Sequence, residues 1–510
     1  MHVPHKRTQR ATAIALPSGP FAGATPLQRT MTLLLAIAFA LTALGLASPA
    51  HAAARSRYVS PSGSNSNSGT SSSPWKTISK AAGEARPGDT IYVRPGTYAE
   101  RVYVTNSGTS TSPIRFVGLT SSGKRARVSQ GFYVKSNWVR IESFEIYPAT
   151  GLGNGTRNPD RTYADAPLQL SGSRIVAKGN YIHDTRSAPW AILTNGSGNV
   201  LQANKIHNAN KGHISASGTD VMVRKNKSTI DPSFFSGKPA NYKAIQLQLG
   251  STSGMLIERN TFKGPGDGNL VHIPVAVSNV TFKRNVILMP ARRTTSSTHT
   301  QTFGFYKSAT NVTFDGNIIG SNAPLPSGFV AGFTHFFFGT TDASGTFKNL
   351  KFQNNLFLGK LDGAYYLQFK AGDKLDGLTF NNNLVNIPSG WRLPDSSSGV
   401  SAKNNIVLKG SIGGARDYNL YPGSKPAGEG SHSRTGAPKF VNGSMSSSTS
   451  YGVKADWNLQ SGSDAIDCGT SSGSSSRDRL GRTRVDISSV TNRGGGSPNY
   501  IDIGPMEKQR

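Results

Sequence analysis

One short pattern keeps returning between Arg174 and Leu408, and it leaves the chain few folds to adopt. An apolar or β-branched pair is followed by two polar residues, an Asn, one further residue and an apolar one. It reads Val200-Leu201-Gln202-Ala203-Asn204-Lys205-Ile206 in one copy and Leu256-Ile257-Glu258-Arg259-Asn260-Thr261-Phe262 in another. The Asn positions are 180, 204, 226, 260, 285, 317, 355, 383 and 405, spaced in the twenties where the unit is compact and wider where a loop is inserted. An alternating repeat of that length, with no helix between copies, is a solenoid of β-strands. A single copy buries too little apolar surface to fold alone, so copies must stack. Stacked parallel strands would bury Val200, Ile206, Phe262, Ile287, Phe314 and Ile319 in a central column. The recurring Asn fits a turn between strands, where it tolerates left-handed geometry and can bond the matching Asn one coil away. The fold expected is all-β, a right-handed parallel β-helix solenoid with an N-terminal capping helix.

The order of the chain supports that reading. Arg29 precedes an apolar run from Leu33 to Leu46, and Ala50-His51-Ala52 offers a small-residue cleavage site. Residues 1–52 therefore read as an extension plus a signal peptide cut near Ala52, with Met31 as an alternative start. Residues 53–110 read as an N-terminal cap and first coils: Trp75, Ile78, Ala81, Ala82 and Ala85 have helical spacing, and Pro87-Gly88-Asp89 stops that helix before Thr90-Ile91-Tyr92-Val93. Residues 111–410 form the coiled body with inserted loops. Residues 411–510 lose the repeat and read as a C-terminal wrap-around tail, or else as a separate binding module.

Several segments resemble a known group. Tyr58-Val59-Ser60-Pro61-Ser62-Gly63, Pro74-Trp75-Lys76-Thr77-Ile78, Pro87-Gly88-Asp89-Thr90-Ile91-Tyr92-Val93 and Pro95-Gly96-Thr97-Tyr98 are similar to the opening of secreted right-handed parallel β-helix proteins. That group includes pectate-lyase-like and alginate-lyase-like polysaccharide lyases. The stretches Ser463–Asp467 and Asp502–Glu507 resemble their closing segment. The resemblance spans roughly residues 57 to 507 and implies fold more than reaction, because such folds host many functions.

Charge narrows the partners. The formal net charge is +29, and residues 1–52 contribute only Lys6, Arg7, Arg10 and Arg29 to it. Such an excess favours a polyanion, and an acidic polysaccharide fits better than nucleic acid because the basic residues are scattered rather than grouped with stacking aromatics. Cys468 is the sole cysteine, so no intrachain disulfide forms. No membrane span is expected once the leader is cut, and a monomer is expected. No cofactor is called for, although a calcium ion is left open.

Chemistry on such a fold sits on outward side chains and inserted loops. His213 and His272 each stand thirteen places before a ladder Asn, with apolar neighbours that predict outward side chains on one sheet. Gln246 and Gln248 alternate toward the same face, followed by His299, Gln301 and Tyr306, with Lys211 and Lys243 beside them. Arg292 and Arg293 lie on the loop leading to His299. His183 and His207 follow the Asn turn directly and are left out. Lys, His, Tyr, Arg and Gln suit β-elimination, in which a base takes the proton beside a uronate carboxylate and an acid assists the leaving oxygen. Hydrolysis needs paired carboxylates instead, and this face has none: Asp267 and Asp220 are isolated. The expected roles are His213 or Lys243 as base and Tyr306 or His299 as acid. Gln246, Gln248, His272, Arg292 and Arg293 would hold the carboxylate, with Lys211 and Gln301 also touching substrate.

The sequence departs from two lyase patterns. It lacks the Asp cluster of calcium-dependent pectate lyases. The Lys-then-Arg pair of one alginate and chondroitin lyase family does not map, because Gln248 and His272 occupy those coils. The expected activity is a secreted lyase acting on an alginate-like or other polyuronate. The alternatives are a polyuronate C5-epimerase, since Lys211-Gly212-His213-Ile214 is similar to a coil of mannuronan epimerases, and a non-catalytic polysaccharide-binding adhesin.

Overall fold

The computed structural model describes residues 54–510 except 148–151, 153–156, 159, 161–163, 186–187, 239–244, 266–267, 290–291, 295–299, 322–326, 342–344, 360, 362 and 443–454. Each coil of the body contributes three strands, as in Trp190–Thr194, Val200–Gln202 and Lys205–His207. The first two belong to one large parallel sheet and the third to a smaller one, and each strand pairs with its counterpart one coil on. The interior is mostly apolar, with a few buried polar side chains among its rows. The second strands stack Ala177, Leu201, Val223, Ile257, Phe282, Phe314, Phe352 and Phe380 in register. Phe282, Phe314 and Phe352 lie face to face, with Phe282–Phe314 centroids 5.0 Å and Phe314–Phe352 centroids 4.7 Å apart, and Phe380 is tilted by 40° to Phe352. Ile206, Phe262, Ile287, Phe314 and Ile319 are buried as expected. Val200 is not: the middle residue of its three-residue strand points inward, so Leu201 takes the core position and Val200 faces outward.

Nine consecutive rungs of Asn fix the register, from Asn180 to Asn419. The Oδ1 of each Asn accepts both the backbone N–H and the Nδ2 of the Asn one coil earlier, at 2.9–3.2 Å. Each Nδ2 also reaches a strand carbonyl, as Asn204 does to Ala177 O at 2.9 Å. The left-handed backbone belongs to the preceding residue rather than to the Asn: Ala203, Lys225, Arg259 and Arg284 have φ between 53° and 56°. That residue turns the chain and sends its side chain outward, while the Asn turns in and satisfies buried backbone groups.

The N-terminal end carries helix α1, Ile78–Glu84, shorter than its apolar spacing predicts because Trp75 is held in a bridge with Val59. Thr77 caps it by accepting from Lys80 N, and the Glu100 carboxylate accepts from Ile78 N and Ser79 N. Ile78, Ala81 and Ala82 are buried against the strand Val102–Val104. At the other end, the C-terminal segment lies along the outer flank of the smaller sheet. There the outward row reads Val286, Ile318, Leu356, Leu384, Ile406, Leu420. Trp457, Leu459, Ala465, Ile466, Cys468, Ile503 and Met506 cover it. The same row in earlier coils reads Glu145, Tyr181, Lys205, Lys227, Thr261, which the apolar cluster does not reach.

Candidate active site

The first strand of each coil bends near its start, and this bend decides which polar side chains can meet a substrate. Strict alternation would put His213 outside. At the bend, however, two successive residues turn inward, so His213 and Ile214 both enter the core, as do Gln246 with Leu247 and Leu270 with Val271. His213 is 0% exposed. Its Nδ1 lies 2.6 Å from Ser228 Oγ, a side chain in register with the core residues Ile206 and Phe262. Its Nε2 accepts from Ala209 N at 3.3 Å, which leaves the proton on Nδ1. Ser228 in turn donates to Gln246 Oε1 at 3.3 Å, and Gln246 Nε2 donates to Lys263 O at 2.9 Å. Burial pushes the His213 imidazole down to about 3, so it stays neutral. The expectation that His213 acts as an outward base, with Gln246 holding substrate, is therefore corrected. Both are satisfied interior groups.

The same bend sends other residues out together. Asn269 and His272 flank the inward pair Leu270 and Val271 and share the outer face. Asn269 Nδ2 lies 3.0 Å from His272 Nδ1 and donates to Tyr306 OH at 2.8 Å. Tyr306 OH donates to Gln301 Oε1 at 2.9 Å, and its ring centroid is 5.2 Å from that of His272. With the Asn269 amide donating, Nδ1 is the unprotonated nitrogen of His272. Burial raises the Tyr306 phenol, opposed in part by the Asn269 hydrogen bond. Gly304, in register with His272, makes this meeting possible. A Cβ there would stand 2.3 Å from Asn269 Nδ2 and 2.8 Å from Tyr306 Cε2. Gln248 is the register neighbour of His272 on the preceding coil and is half-buried.

Three expected residues are thus united: His272, Gln301 and Tyr306, with Gln248 adjoining. Lys211 is exposed two coils before His272. Lys243 and His299 lie outside the described residues. Arg292 and Arg293 form a short strand antiparallel to Phe329–Val330, and their side chains are not among those described. Phe329 also meets Phe235 of the loop after Thr229, at 6.2 Å between centroids, so inserted loops of different coils pack on one another beside the groove.

Asn269 escaped the sequence reading, although it occupies the same strand-opening position as Gln301. A second polar group further up the same face was also missed. There Tyr133 OH donates to Asp160 Oδ2 at 2.6 Å, Lys135 Nζ pairs with the same oxygen at 2.9 Å, and Arg101 Nη2 donates to Gln169 Oε1 at 3.1 Å. Arg101 also donates to the carbonyls of Gln130, Ala166 and Pro167, and burial lowers it to about 10. Those contacts give it a structural role. On the smaller sheet, His183 lies 3.2 Å from Glu145 and 3.0 Å from Asp184, and His207 lies 2.8 Å from Asp231. Among the described residues, no group of three or more His, Cys, Asp or Glu side chains is arranged to hold a metal ion.

A column of parallel coils with a groove of His, Tyr and amide side chains on one outer face defines the class: a right-handed parallel β-helix. Residues 57–219 match the family described as Pel9A-like, right handed beta helix region. No curated protein matches the chain by sequence. Among solved structures, the chain is similar to pectate lyase Pel9A at 16% identity and TM-score 0.43, covering 90% of this chain and 98% of that one. It is similar to XylC, solved with xylose, at 11% identity and TM-score 0.45, covering 89% and 99%. It is also similar to the PL6 family alginate lyase AlyGC at 14% identity and TM-score 0.50, covering 76% of this chain and 54% of that one. The likeness to AlyGC bears on the fold alone and leaves the reaction to the side chains.

Proposed function

We propose that the protein is an exported polysaccharide lyase that cleaves a uronic-acid polymer by β-elimination, with His272 and Tyr306 as its proton-transfer groups. The observation that carries this reading is the His272–Asn269–Tyr306–Gln301 network on the outer face. A ring nitrogen able to accept a proton and a phenol able to donate one stand there beside amide donors. His272 takes the proton beside the carboxylate, the developing enolate is held by the amides of Gln248 and Asn269, and Tyr306 gives its proton to the departing glycosidic oxygen. One C–H and one C–O bond break and one C=C bond forms. The roles expected of His213 and Gln246 thereby pass to His272 and Gln248. The net charge of +29 favours an anionic chain, and the leader over residues 1–52 favours export. The pectate and alginate lyases among the similar structures agree with the substrate class. The protein acts as a monomer in this reading, and these residues need no metal.

The test is incubation of the mature protein with pectic and alginate polymers, following the ultraviolet absorbance of new unsaturated ends. A rise that disappears in Tyr306→Phe supports the reading. No rise on any polyuronate sinks it. A changed uronate ratio without unsaturated ends would assign epimerisation instead, and binding with neither change would assign an adhesin.

A further inference from the structure

The groove does not end at the proton-transfer group. Asn269 and Gln301 are register partners at the openings of their strands, and the same outer position runs back through Ile245 and Gly212 to Trp190. Trp190 lies across the next coil. A Cβ built on Gly212 would meet its ring carbons Cζ3 at 2.1 Å and Cε3 at 2.4 Å. Gly212 therefore leaves a hollow that the indole occupies. The residue is nonetheless only half-buried, as are the neighbouring outward side chains Leu193 and Ile245. Lys211, just before the hollow, is exposed. The groove floor thus changes character along its length, from apolar at Trp190, Leu193 and Ile245 to amide, imidazole and phenol at Gln248, Asn269, His272 and Tyr306.

An aromatic side chain resting on a coil that opens with an exposed lysine matches one kind of ligand well. A uronate ring offers a C–H face that packs on an aromatic ring and a carboxylate at its edge. We propose that Trp190 and Lys211 form a sugar-stacking subsite for an anionic polysaccharide. It lies two coil spacings, about 10 Å, from Asn269 along the column. This inference rests on the groove being the place where the polymer binds, as argued above. It adds that the protein reads chain length: a sugar chain reaching from the cleavage point to Trp190 gains a contact that a short one cannot make.

Binding is measured by calorimetry in the Tyr306→Phe background, which prevents turnover, using galacturonate and alginate di- and pentasaccharides with xylan oligosaccharides as the neutral set. Trp190→Ala should weaken pentasaccharide binding about tenfold and leave disaccharide binding unchanged. Trp190→Phe should retain most of the affinity. Gly212→Ala, which keeps the indole but fills its hollow, should lose as much as Trp190→Ala. Lys211→Ala should weaken uronate binding and reduce its dependence on salt. Melting temperatures of each variant separate loss of contact from loss of fold. Equal losses for short and long oligosaccharides, or none in a folded Trp190→Ala protein, overturn the subsite and leave the lyase reading intact. Failure of every uronate to bind overturns both. Neutral oligosaccharides that bind through Trp190, with no unsaturated ends formed by the unmutated protein, would keep the platform while removing the lyase reading and the role of Lys211.

Discussion

Two polar rows run along the same strands of the large sheet, one facing the core and one facing solvent. The inner row includes His213 and Gln246, and further along Thr302 and His335, whose Oγ1 and Nδ1 lie 2.8 Å apart. The outer row includes Gln248, His272 and Tyr306. The residue types are nearly the same, yet the environments give them opposite work. Inside, His213, Ser228 and Gln246 are matched donor to acceptor, charge is excluded, and the imidazoles of His213 and His335 are driven down to about 3. Such groups hold neighbouring coils together and are unreachable by a sugar. Outside, Asn269 and Tyr306 are bonded to each other beside the half-buried His272 and Gln248, where a ligand can exchange for their present partners. A titratable side chain on a solenoid is thus given its role by which side of a bend it falls on.

The largest effects should separate the two rows cleanly. His272→Ala and Tyr306→Phe should each lower kcat on polyuronate at least about 100-fold while leaving the melting temperature nearly unchanged. His213→Ala should do the reverse. It empties a core site and strands Ala209 N–H and Ser228, costing about 2–4 kcal/mol of stability by chemical denaturation. A His213→Ala protein that is inactive yet as stable as its parent would contradict the division.

The rows should also differ in pH response. His213 and His335 have folded values depressed from 6.5 to about 3 by burial. Below pH 6.5 the unfolded chain binds protons that the folded chain refuses, so stability falls with acidification until about pH 3. At pH 5 each histidine should cost about 2 kcal/mol relative to neutral pH. Unfolding titrations across that range should flatten measurably in His213→Gln. The smallest expected effect belongs to the edge of the outer row: Gln248→Ala should lower kcat roughly fivefold, about 1 kcal/mol, with KM little changed.

The Asn repeat made the architecture readable because a buried amide that bonds its own kind one coil away recurs at the same place in each coil. The site was readable only in part. His272, Gln301 and Tyr306 could be found because their neighbours alternate and their coils are consecutive. His213 was misplaced because alternation fails at a bend, and nothing in Gly212-His213-Ile214 marks where the strand turns. Asn269 was missed for a different reason: an Asn in a Gly-rich stretch reads as a turn residue unless its register with Gln301 is known. Arg101 gave no signal either, since its acceptors are backbone carbonyls and the distant Gln169.

The apolar strip beneath the C-terminal segment has a consequence for how the molecule comes apart. An uncovered stack of coils can shed its terminal turns one at a time, since each touches only its neighbours. Here Trp457, Ile466, Ile503 and Met506 return across the turns from Ile318 to Leu420. Asn354, Asn382 and Asn404 are tied to the segment through its carbonyls at Arg477, Asp502 and Thr470. Those turns cannot fray singly, because loosening one means lifting a strap shared by all. The last third of the column should melt as one cooperative block, and clipping the strap should turn that single transition into a gradual one.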